Sequence, residues 1–137
     1  MAKPADPHNL TGLWHGRYGY DQDSMPPVGF TASLVELSGS VTGATHEQTP
    51  VTQAVSAILP AIISGTRDGS SVTLLKTYDG TLNWRHSVRY EGTLNADGSE
   101  IEGRWIVTRQ WSGWFLMIRA APRAEASERK VGEDVKV

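Results

Sequence analysis

At 137 residues the chain is long enough for one domain around one core and too short for two. A formal charge of -2 and a pI near 6.1 give no basic patch for nucleic acid or an anionic membrane surface, so neither is expected as a partner. Cysteine is absent, which removes disulfides, thiolate metal sites and a thiol nucleophile, and fits a reducing compartment.

Residues 1–9 are polar, carry two prolines and lack the apolar core of a secretion signal, so they are expected to form a flexible arm on a cytoplasmic protein. The first alternating run, from Leu13 to Tyr20, sets Trp14, Gly16, Tyr18 and Tyr20 on one face and His15, Arg17 and Gly19 on the other. After Pro26 and Pro27, the run Val28 to Leu37 alternates Phe30, Ala32, Leu34 and Glu36 against Thr31, Ser33 and Val35. Ser38-Gly39 turns the chain into a third run, Val41 to Gln48.

Residues 49–60 fit two readings, one or two helical turns over Thr52 to Leu59 or the early part of a strand, whereas Ala61 to Thr66 reads as strand. Arg67-Asp68-Gly69-Ser70 is a hairpin loop, Ser71 to Tyr78 the fifth strand, and Asp79-Gly80 another turn. Beyond a loop holding Trp84 come His86 to Leu94, the hairpin Asn95-Ala96-Asp97-Gly98, Glu100 to Arg109, and Gly113 to Arg119.

Eight short strands in series, joined by short links, predict an all-β fold: an antiparallel up-and-down barrel over residues 10–120, with a tail over 121–137 that is a short helix or disordered. Glycines 16, 43, 65, 92 and 103 fall inside strands, where they help a sheet bend into a barrel. A two-sheet sandwich is the rival.

Gly12-Leu13-Trp14 at the opening and Arg119 at the close resemble the calycin superfamily, the lipocalin, fatty-acid-binding and avidin-like barrels. The resemblance implies that Trp14 packs under Arg119 and plugs one end. It covers the rest of the chain only as a pattern of strands. Lys76-Thr77-Tyr78-Asp79-Gly80 is no match for the second lipocalin motif, and the first strand lacks the Asn and Ser of a biotin site.

If the Trp14 face points inward, parity gathers Tyr18, Tyr20, Glu36, Lys76, Tyr78, Tyr90 and Trp105 in the lumen, with Phe30, Val88, Phe115 and Met117 among the apolar lining. A buried Lys76 needs Glu36, Glu47 or a ligand carboxylate as its partner. Those seven residues are the expected ligand site of a small-molecule-binding barrel. The alternatives are a protein-interaction barrel whose own side chains fill the core, and a lipocalin-like isomerase or cyclase using tyrosine, Lys and Glu as acids and bases.

No motif assigns a catalytic residue, a metal or a cofactor. His15, His46 and His86 are scattered, and His46 and Glu47 point to opposite faces of one strand. On the outer face, Ile106, Trp114, Leu116 and Ile118 of the last two strands predict an apolar patch covered by a second copy in a homodimer.

Overall fold

The computed structural model describes residues 8–21, 25–48, 58–78, 87–108 and 110–120. Eight strands run in chain order: β1 (Gly12–Tyr20), β2 (Val28–Leu37), β3 (Ser40–Gln48), β4 (Ile58–Asp68), β5 (Ser71–Tyr78), β6 (Ser87–Leu94), β7 (Glu100–Thr108) and β8 (Trp111–Arg119). Each pairs antiparallel with its neighbour, and β1 also pairs with β8, from Trp14 opposite Arg119 to Tyr20 opposite Gly113. The result is a closed up-and-down barrel rather than a sandwich, with every strand edge paired.

Alternation explains the closure. In β2 and β5 buried and exposed residues alternate, so each strand gives one mostly apolar row to the lumen, with Glu36 and Lys76 in it, and one row to the outside. The rows meet in a single core that includes Trp14, Tyr18, Phe30, Leu34, Leu74, Trp105 and Phe115. At Gly103 there is no room for a side chain: a β-carbon would stand 2.0 Å from the carbonyl oxygen of Glu91 on β6, so the two strands coil together where only glycine fits. Ser38 (φ 49°) and Gly39 (φ 85°) are both left-handed, as a two-residue hairpin of the right twist requires.

Several boundaries differ from the sequence expectation, most by one or two residues: β1 begins at Gly12, β3 at Ser40, and β4 runs on to Asp68. β4 starts at Ile58, with Leu59 opposite Glu47 and Pro60 opposite His46, so the strand reading holds from 58 onward. β8 starts at Trp111, paired with Thr108, which puts Trp111 on the strand rather than in the hairpin; a register shift between Ile106 and Thr108 accommodates it. β7 ends at Thr108. Residues 1–7, 49–57, the turn Asp79-Gly80, Trp84, His86, Arg109 and the tail over 121–137 lie outside the described residues.

The two ends of the barrel differ in how they are built. At one end lie the tight links between β2 and β3, β4 and β5, and β6 and β7. Here Trp14 is fully buried, its indole N–H donates to the Leu10 carbonyl at 2.9 Å, and the Arg119 guanidinium lies 4.4 Å above its ring. Arg119 also donates to the carbonyls of Asn9 (2.7 Å), Thr11 (3.1 Å) and Gly98 (2.9 Å), so one side chain ties the chain's start to a hairpin. A guanidinium stacked on an indole and bonded to three carbonyls is compensated for its desolvation. His8 bonds through Nε2 to the Ala96 carbonyl at 2.9 Å on the same end. This end is sealed.

Candidate functional site

The other end carries the tyrosines. Tyr18 and Tyr20 come from the last residues of β1, Tyr78 from the end of β5, Tyr90 from β6 and Trp105 from β7, all placed inward by strand parity. Their rings meet mostly edge to face: Tyr20 on Trp105 at 5.3 Å, Tyr18 on Trp105 at 6.1 Å, Tyr18 on Tyr20 at 6.5 Å, and Trp111 on Trp105 at 6.3 Å. The Trp105 indole N–H is fixed by the Gly19 carbonyl at 2.8 Å, so the central ring of the cluster is held by β1.

Lys76 stands below these rings and is 1% exposed. Its ammonium lies 3.6 Å from Glu47 Oε1, donates to the Tyr90 hydroxyl at 3.3 Å, and sits over four rings: Tyr78 (4.9 Å), Tyr18 (5.0 Å), Phe30 (5.2 Å) and Tyr90 (5.5 Å). The ring faces and the carboxylate together replace part of the lost hydration. Burial still pushes the lysine below its ordinary pKa, with Glu47 opposing. The Tyr78 hydroxyl donates to Glu47 Oε1 at 2.5 Å, while Glu47 Oε2 has no hydrogen-bond partner among the described residues. Thr45 Oγ1, two residues earlier on the same face of β3, is buried and likewise without a partner among the described residues.

All four tyrosines are held above the usual tyrosine pKa by burial first; the negative charge of Glu47 comes next on Tyr20, Tyr90 and Tyr18, Tyr18 comes before Glu47 on Tyr78, and hydrogen bonding to Glu47 adds to the rise for Tyr18 and Tyr78. They therefore keep their protons. The arrangement is a set of fixed hydroxyl donors around one internal ion pair, suited to orienting a polar group rather than to accepting a proton.

Of the seven residues expected from the sequence, six are brought together: Tyr18, Tyr20, Lys76, Tyr78, Tyr90 and Trp105. Glu36 is not. It lies at the sealed end, bidentate with Arg67 (Nε to Oε1 2.6 Å, Nη2 to Oε2 2.8 Å), and accepts the Leu10 backbone N–H at 3.1 Å. Of the partners considered for Lys76, Glu47 is the one in place. Glu47 itself, Trp111 and Val107 belong to this end of the barrel but not to the expected set. Parity counted along β3 from the buried Val41 reaches Glu47, and that is the signal that points to it.

Two small voids lie in the lumen among the described residues. An inner void of about 10 Å³, open to the centre of a water molecule, lies among Phe30, Leu34, Thr45, Leu74, Lys76 and Met117. An outer one of about 20 Å³ lies among Tyr18, Tyr20, Val88, Trp105, Val107 and Trp111. Each has room for about one water. At the rim, Tyr20 is half-buried and Trp111 is 42% exposed.

On the outer surface, Ile118 is exposed, but Ile106, Trp114 and Leu116 are half-buried. The Trp114 ring lies against Gly19, where a β-carbon would come within 2.5 Å of it. Among the described residues no three His, Asp or Glu side chains gather as metal ligands. No family model, curated protein or solved structure matches this chain.

Proposed function

We propose that this chain is a calycin-like barrel that binds one small organic molecule at its aromatic end, over the Lys76–Glu47 pair. The observation that carries the reading is Glu47 Oε2, a carboxylate oxygen buried without a hydrogen-bond partner among the described residues, within electrostatic reach of all four tyrosines. A buried acceptor left unsatisfied costs about 1–3 kcal/mol, more when charged, and a fold that tolerates this gains where a ligand supplies the missing donor. Among the described residues, the contrast between the ends supports the same reading: one is closed by Trp14, Arg119 and the Glu36–Arg67 pair, and the other carries aromatic side chains of which Tyr20 and Trp111 are partly exposed.

The ligand seat is shallow. With Lys76 engaged by Glu47 and Tyr90, the deep lumen is a self-made polar plug, and a ligand enters by turning Tyr20 and Trp111 outward from the outer void. Trp105 and Trp111 both border that void, so occupancy changes tryptophan emission. Titration with small flat aromatics is expected to give a saturable fluorescence change that Val107→Trp, which fills the void, removes without unfolding the barrel. An unchanged spectrum across such compounds, or an undiminished response in Val107→Trp, would overturn the site.

A further inference from the structure

The balance of donors and acceptors inside the barrel specifies the ligand further, resting on the reading above. We infer that the site selects an uncharged, flat molecule presenting one N–H or O–H donor, and discriminates against acids. Sequence parity alone leaves Lys76 as the group a ligand would meet, which calls for a carboxylate. The geometry reverses that polarity. The Lys76 ammonium is taken up by Glu47 Oε1 at 3.6 Å, by the Tyr90 hydroxyl at 3.3 Å and by four ring faces within 5.5 Å. Among the described residues the unmet charged acceptor lies on the other member of the pair, at Glu47 Oε2, and the Thr45 hydroxyl on the same face of β3 is the other buried polar group without a partner.

Charge balance excludes ions of either sign. Lys76 and Glu47 sum to zero and are 1% and 3% exposed. A ligand carboxylate would bring a second anion beside Glu47 to share one ammonium, and a ligand cation would set a second positive charge near Lys76, each in surroundings where unit charges are weakly screened. A neutral donor adds no charge and satisfies the open carboxylate oxygen, in a charge-assisted bond shorter and stronger than a neutral one. The rings of Tyr18, Tyr20 and Trp105 supply edge and face contacts for a flat body.

Three matched probes test this: indole, which has the N–H; 1-methylindole, which lacks it; and indole-3-carboxylate, which adds an anion. Binding is read by isothermal titration on the full chain and on the double variant Lys76→Met/Glu47→Leu, which removes both members of the pair so that neither is stranded. Indole is expected to bind at least about tenfold more tightly than either analogue, a difference of about 1.4 kcal/mol, and the preference over 1-methylindole to vanish in the double variant. Equal binding of 1-methylindole, tighter binding of the acid, or a preference that survives in the double variant overturns the ligand class while leaving a ligand site in place. Failure of all three probes to bind overturns the site and the class together.

Discussion

At the scale of single residues, the Lys76–Glu47 pair decides what the lumen is. An ion pair this deep is weak evidence of net stabilisation, because desolvating two charges offsets most of their attraction, yet removing one member leaves the other uncompensated. Lys76→Met should therefore cost about 3–5 kcal/mol, and Lys76→Met/Glu47→Leu should recover wild-type stability or exceed it. Chemical denaturation of the three proteins checks this. If Lys76→Met proves neutral, Lys76 is not engaged by Glu47 and the ammonium is open to a ligand acid after all.

At the scale of strands, the period of two makes most of the lumen legible from the order of residues alone. Trp14, Tyr18, Phe30, Leu34, Lys76, Tyr78, Val88, Tyr90, Trp105, Phe115 and Met117 are all buried, as alternation requires. What alternation does not carry is height along the barrel axis, which depends on the stagger between strands. Glu36 and Lys76 share the inward face, but Glu36 is one residue from the end of β2 and meets Arg67, while Glu47, near the opposite end of the same hairpin, meets Lys76. Partner choice is thus a matter of register, to which no local pattern points. The start of β4 is obscured for a different reason: Pro60 lacks a backbone N–H and reads as a strand breaker, yet it sits paired opposite His46. Outward parity places Ile106, Trp114, Leu116 and Ile118 on the outer wall but does not say how far each stands out: Trp114 lies down on the bare backbone of Gly19.

For the molecule as a whole, the buried tyrosines set its response to alkali. The chain has four tyrosines, and burial raises the pKa of each in the fold, with Tyr20 the most exposed of them. A group whose pKa is raised on folding gives stability that is complete below its unfolded value, near 10 for tyrosine, and is lost as the pH climbs toward the folded one. Above pH 10, Tyr18, Tyr78 and Tyr90 should each remove about 1.4 kcal/mol per pH unit. Lys76 acts in the opposite sense, its lowered pKa adding stability as the pH rises toward 10.5. Three tyrosines outweigh one lysine, so the barrel is expected to unfold in one step at alkaline pH. Phenolate absorbance should show Tyr20 ionising first and the other three appearing together with loss of the β signal; gradual ionisation of all four in the folded protein would contradict their burial.

The same division into a sealed end and an aromatic end underlies the proposed binding, and locating a bound molecule tests it most directly. Nuclear Overhauser contacts from indole bound to the isotopically labelled protein would report the seat methyl by methyl. Contacts are expected to Val88 and Val107, which border the outer void. Contacts to Leu34, Leu74 and Met117 around the inner void instead, or to Leu116 on the outer wall, would contradict a seat at the aromatic end.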